Sequence, residues 1–267
     1  MFRSFDVAAG GLRTHQQYMD VVGNNIANVN SDGFKGSTYL FDEVLNQLTV
    51  GTGIAPPKPQ PNGAINAAMA GLGVALRQVP GDFSQGAFKA TNMATDLAIQ
   101  GEGFFVLQGA DGPVYTRNGN FTFDAAGTLV AGDGKKVLGI NNQPMQVPAE
   151  FRNRSFSLNS RGEIVTRDAG NNPVVIAQIK LARFPQENML ERAGNTEFRA
   201  TAGSGAPIEG LPMTNGLGEV LSGVTEMSNV DLSTQFTNLI MAQRGYQANS
   251  RVLSTTDQLA ERINQMQ

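Results

Sequence analysis

The strongest constraint on this chain is a seven-residue apolar repeat carried by both of its ends. Over residues 2 to 29, Phe5, Leu12, Met19 and Ile26 recur at every seventh position, with Ala8, His15 and Val22 between them. Such a repeat keeps one stripe of side chains facing along a second helix, so the segment reads as a helix built to pack on another. Asn30, Ser31, Asp32 and Gly33 then supply a stop signal. From Asn229 to Gln267 there is no proline, and Gly245 is the only glycine. Phe236, Leu239, Tyr246 and Leu253 share a face there, with Ile240 beside them. Val252, Leu259, Ile263 and Met266 continue the stripe as it drifts. At ~1.5 Å per residue this helix is roughly 50 Å long. That exceeds what a compact domain of this size uses, so a helical partner is expected, the nearest being the N-terminal helix.

Between the ends the texture changes to alternation and tight turns. Phe104, Phe105, Val106 and Leu107 form a short apolar run ending at the Asp111-Gly112 turn. Val114 to Arg117, the Asn118-Gly119 turn and Phe121 to Phe123 read as a hairpin. Asp133-Gly134 and Arg161-Gly162 mark further turns, and "NPVVIAQIKLARF" over 172–184 is the longest strand candidate. "GTGIAPPKPQPNGAINAAMAGLGV" (51–74) and "TAGSGAPIEGLPMTNGLGE" (201–219) read as Gly- and Ala-rich connectors without a period. The expectation is an α+β fold. Residues 1–30 and 229–267 form a coiled-coil-like domain of paired terminal helices. Residues 31–74 and 201–228 form an extended linker region, and 75–200 a mainly antiparallel β-rich outer domain.

The residues offer little chemistry. With no cysteine there is no disulfide, thiolate or Cys-ligated metal. His15, the single histidine, lies on the helical stripe and reads as a packing residue. No HExxH, GxSxG or P-loop spacing occurs; "GDGKK" (132–136) lacks the upstream glycine and the Ser/Thr of a phosphate cradle. "GEGFF" (101–105) is a turn into a strand. Asp42-Glu43 could serve as paired carboxylates but reads more simply as the solvated face of a short helix, "LFDEVLNQL". No catalytic residue, cofactor site or metal site is expected. A formal net charge of −3 makes no electrostatic case for nucleic acid or anionic lipid. No stretch approaches the ~20 apolar residues that span a bilayer, and the N-terminus lacks the apolar run of a Sec-type signal.

One segment stays unexplained by this reading. In "MDVVGNNIANVNSDGFK" (19–35), Asn24, Asn25 and Asn28 stand among apolar residues where the helix ends. Asparagine competes with helical backbone bonds, so these amides either fray the helix or bridge to other groups. Gly33 is expected to permit the turn out of the helix, and Phe34 to anchor the linker.

That segment resembles the signature of the bacterial flagellar axial family, the rod, hook and hook-associated proteins. "DLAIQGEGFFVL" (96–107), "YTRNGNFTFDAAGTLV" (115–130) and "EMSNVDLSTQFTNLIMAQRGYQANSRVLSTTDQL" (226–259) extend the resemblance in family order. It implies a structural subunit of a tubular homopolymer, located in the hook-basal body outside the cell after passage through the flagellar export apparatus. Within the family the resemblance is nearest to the short form of the hook protein, the flexible joint that passes torque to the filament. The distal rod subunit is the alternative, suggested by the length of the 45–73 connector. Implied partners are further copies of the chain, other axial proteins at the rod–hook and hook–filament junctions, and the hook cap protein. The resemblance assigns Phe5, Leu12, Met19, Ile26, Phe236, Leu239, Ile240, Tyr246, Leu253, Leu259 and Ile263 to packing between subunits. It assigns Asn24, Asn25, Asn28, Gly33 and Phe34 to a junction that sets register. A reading of another class, a monomeric secreted β-domain enzyme or binding module, is separated from these by concentration-dependent assembly into tubes.

Overall fold

A computed structural model describes residues 2–44, 47–50, 68–148, 156–167 and 172–266. Most of the expected 51–74 connector lies outside the described residues. The chain divides into two compact units, one made of residues 1–24, 37–80 and 232–267, the other of 25–36 and 81–231.

The first unit is helical with a β arm. Helix α1 spans Phe2–Ala27 and α2 spans Leu232–Gln265, close to the limits read from the repeats. Between them in sequence lie β1 (Leu40–Glu43), β2 (Gln47–Val50), β3 (Ala68–Ala70) and β4 (Val74–Gln78). Strand β1 pairs antiparallel with β4, and β2 with β3. Among the described residues of 40–48 the chain is strand in place of the expected short helix, and Asp42-Glu43 sits on an exposed strand. The cause is an alternation with period two. Tyr39 and Phe41 point the same way and meet α1, with Tyr39 5.4 Å and Phe41 5.6 Å from the Tyr18 ring and Phe41 6.0 Å from His15. Only a strand brings alternate residues to one face.

The second unit is β-rich. Its strands are β5 (Phe88–Ala90), β6 (Leu97–Gln100), β7 (Phe104–Gln108), β8 (Pro113–Thr116), β9 (Phe121–Phe123), β10 (Leu129–Ala131) and β11 (Lys136–Val137). They continue with β12 (Phe156–Leu158), β13 (Glu163–Arg167), β14 (Pro173–Gln178), β15 (Leu181–Arg183), β16 (Glu191–Gly194) and β17 (Glu197–Arg199). The last are β18 (Ile208–Gly210), β19 (Glu219–Ser222) and β20 (Val224–Glu226). Among the described residues, the largest sheet runs β16-β17-β8-β7-β11-β10-β9, with β15 joining β7 to β18, and every pairing is antiparallel.

Strand β7 is the keel of this unit. Its four apolar residues are all buried, and alternation sends them to two different cores. Phe105 and Leu107 join Leu97, Ile99, Phe121 and Leu129, whereas Phe104 and Val106 join Tyr115, Phe184 and Phe198. A strand covered on both faces needs no polar alternation, which is why "FFVL" reads as a continuous apolar run. Each such side chain contributes about 1.5–3 kcal/mol.

Two expected strands come out differently. Strand β8 pairs with β7 and β17, not with β9, so the 114–123 hairpin does not form. Gly119 is pressed onto the neighbouring backbone, where a Cβ would stand 1.5 Å from the Leu97 carbonyl oxygen, and its own carbonyl accepts from Leu97 N–H at 3.0 Å. The Asn118-Gly119 pair thus serves a close crossing and not a two-residue hairpin. The 172–184 run is split at Ile179-Lys180 because its halves belong to different sheets: β14 pairs with β13, while β15 pairs with β7 and β18. Lys180, nearly buried, turns to Glu209 at 2.7 Å at the break. The 201–228 stretch carries β18, β19 and β20, and its Leu217 and Val220 belong to the core.

Candidate functional site

Two features stand out: the surface of the helical pair, and the knot of chain around Lys35 in the β-rich unit.

The helices meet through small and polar side chains. His15 lies flat against Gly245, where a Cβ would come within 2.3 Å of the ring, and Gly11 is covered by Asn249. Thr14 is buried, donating its hydroxyl to Gly10 O at 2.8 Å. Ala242 and Thr256 are the buried residues of α2. Leu239 and Leu253 of α2 are half-buried, as are Leu12, Met19 and Ile26 of α1. Phe5, Phe236, Ile240, Tyr246, Leu259 and Ile263 are exposed, Phe236 and Ile240 each by 51%. Helical geometry turns Phe236 and Ile240 away from Ala242 and Gly245, and Leu259 and Ile263 lie past Thr256, the last buried residue. Met241, Val252 and Met266, exposed too, add to this surface.

The junction residues differ in their surroundings. Asn24 is exposed, Asn28 half-buried and Asn25 buried, with its Oδ1 4.0 Å from where a Cβ on Gly36 would stand. Gly33 has φ +69°, and its N–H donates to the Glu226 carbonyl at 2.7 Å. Phe34 is buried beneath the Arg192 guanidinium, 5.4 Å from its ring centre. The residue that centres the knot is the next one. Lys35 Nζ donates to Glu226 Oε1 at 2.6 Å, both side chains having no exposure, and to Ser84 O at 2.8 Å. Gly86 N–H donates to the same carboxylate oxygen at 2.9 Å. Asn229 completes the knot: its Oδ1 accepts from Gly36 N–H at 2.8 Å, and its Nδ2 donates to Asp82 O and Ser84 Oγ. Arg117, buried over the Phe104 ring, brings Nη1 to 3.5 Å from Glu226 Oε2. Burial pulls the Lys35 ammonium below its ordinary pKa, against the opposing pull of Glu226. Burial lowers Arg117 likewise.

Sequence reasoning reached Gly33 and Phe34 but missed Lys35, Arg117, Glu226 and Asn229. The available signal was charge in apolar company, in "GFK" and "VTEM". Among the described residues no group of His, Asp and Glu could hold a metal, and no helix is long and apolar enough to cross a membrane.

Family models match at three places: "Flagella basal body rod protein" at residues 5–35, "Flagellar hook protein FlgE/F/G D1 domain" at 98–166, and "Flagellar basal body rod FlgEFG protein C-terminal" at 221–266. The flagellar basal-body rod protein FlgG of Bacillus subtilis is 37% identical over 98% of this chain and 98% of its own length. That of Borreliella burgdorferi is 34% identical over 97% and 96%. The flagellar hook protein FlgE of Borreliella burgdorferi is 24% identical over 98% and 99%, in an alignment of 440 residues. With three matched segments in order and relatives of equal length, the chain belongs to the flagellar rod and hook family, structural and not enzymatic proteins of the bacterial flagellum.

Proposed function

We propose that this chain is a rod-type axial subunit that polymerises into a tube, with its terminal helices packed between copies. The observation that carries the polymer reading is the uncovered apolar surface of α2: Phe236, Ile240, Tyr246, Leu259 and Ile263 are exposed in the single chain. Burying each contributes about 1.5–3 kcal/mol, enough over several residues to drive association once neighbours are present. Phe5 and the half-buried Leu12, Met19, Ile26, Leu239 and Leu253 border the same contacts. Between the two axial readings left by the sequence, the rod is favoured over the hook. The rod relatives match end to end at nearly equal length, whereas the hook relative is less similar and is aligned over far more positions than the 267 residues here. In this reading the neighbours are other axial proteins, and the chain reaches its place through the flagellar export apparatus; a hook cap protein belongs to the hook reading alone. Electron microscopy of tubes grown from the pure protein tests the assignment. Straight, stiff tubes are expected; curved or supercoiled tubes would return the chain to the hook, and a monomer at every concentration would end the polymer reading.

A further inference from the structure

We infer that the buried Lys35–Glu226 pair is a fastener that holds the chain leaving α1 and the chain approaching α2 in one register, serving assembly more than stability. The inference rests on the polymer reading above. A fully buried ion pair is seldom the most stabilising choice, because desolvation of both charges offsets their attraction, and apolar replacements of equal volume are often as stable. Here the arrangement is costlier still, since one carboxylate faces two buried cations, Lys35 and Arg117. What the pair supplies is direction. Lys35 comes just after α1 and Glu226 just before α2. Their bonds are shared with Ser84 O and Gly86 N–H, so three remote stretches of chain, 33–36, 84–86 and 226–229, are tied at one point. Gly33 N–H to Glu226 O and Gly36 N–H to Asn229 Oδ1 fix the same two stretches in parallel bonds. An apolar side chain at position 35 fills the space yet tolerates a slide of one stretch along the other. A charged, hydrogen-bonded one accepts a single alignment.

The test is Lys35→Met in the full-length chain. Arg117 remains to balance Glu226, so no buried charge is stranded and the melting temperature of the β-rich unit should stay close to that of the unmodified protein. Two readouts then separate a fastener from a packing residue. In the dilute monomer, amide exchange at Gly33 and Gly36 should quicken about tenfold, as expected for loss of a charge-assisted restraint, while the β7 amides remain unchanged. In polymers, the helical order seen by electron microscopy should degrade, with subunits still associating. Unchanged exchange at Gly33 and Gly36 would overturn the fastener. So would a fall in melting temperature that accounts for every other change, or tubes of the same order as the unmodified protein's. Failure of the unmodified chain to form tubes would strike the polymer reading, and this use of the pair with it, whatever the exchange shows.

Discussion

Gly33 holds the backbone at φ +69° with its Cα facing the Arg117–Asn118 peptide, where a Cβ would lie 2.5 Å from the Asn118 nitrogen. Gly33→Ala therefore combines left-handed strain with a backbone clash and should cost about 2–5 kcal/mol, read as a lower urea midpoint. Thr196 is the opposite case. Asn195 and Thr196 both have positive φ in the turn joining β16 to β17, a conformation that suits Gly at the second position and strains a β-branched residue. Thr196→Gly should raise stability by roughly 0.5 kcal/mol, the strain relieved exceeding the freedom returned to the unfolded chain, read as a higher urea midpoint. Glu187 gives a pH signature. Burial raises its carboxyl pKa above 4.5, in spite of Arg117. The folded chain then holds more protons than the unfolded one between 4.5 and the raised value, so stability falls as pH rises through that window. Glu187→Gln should lessen this fall in melting temperature, with the remainder left to Glu197, whose carboxyl burial raises as well. Gly33 is legible in the sequence as the turn out of the helix, but Thr196 and Glu187 are not, because only the neighbouring backbone and the burial around them separate a strained or shifted site from an idle one.

At the scale of elements, legibility depends on how local the determinant is. The two helices are readable because a seven-residue repeat is written along each one. The turns at Gly112, Gly134 and Gly162 are readable because positive φ there is a local demand met by glycine. The 114–123 hairpin is not, because β8 finds its partners in β7 and in β17, the latter far along the chain, and local turn chemistry is silent about that choice. Most of the helical seam escapes the sequence for a related reason: large apolar residues at heptad spacing are expected inside it, yet beside His15, which the repeat does place there, Gly11, Thr14, Ala242, Gly245 and Asn249 occupy it. This gives a sign test. Gly245→Ala should destabilise the helical pair by about 1–3 kcal/mol, because the new methyl meets His15. In a His15→Ala background the same change should stabilise by up to about 1 kcal/mol through helix propensity alone. Thermal melts followed by helical circular dichroism distinguish the two. On the other surface, Ile263→Asp or Phe236→Asp should leave the monomer's melt unchanged, since both side chains are already exposed, and should abolish tubes.

At the scale of the whole molecule, the α+β order with helices at both ends is legible, but the limits of an autonomous β unit are not. Sequence texture suggests that the centre alone, about residues 75 to 205, is self-sufficient. The structure ties it to chain on either side. Strand β19 pairs with β6 and β20 with β5, and Leu217 and Val220 are buried in the main core. Glu226 supplies the carboxylate facing Arg117, and the 25–36 segment clusters with the same unit. Cutting at 205 removes two buried apolar side chains, worth about 1.5–3 kcal/mol each. It also strips the buried Arg117 guanidinium of Glu226, its main counter-charge, a loss of up to about 3–5 kcal/mol for a pair broken on one side. Together these approach the roughly 5–15 kcal/mol that typically holds a domain folded. A fragment spanning 75–205 should therefore lack a cooperative melt, while one spanning 25–231 should melt cooperatively as a β-rich monomer. The discriminating measurement is the thermal unfolding of both fragments by near-ultraviolet circular dichroism, which reports the fixed packing of Tyr115. Cooperative unfolding of the shorter fragment would show that the strands beyond residue 205 decorate a finished core and do not complete it.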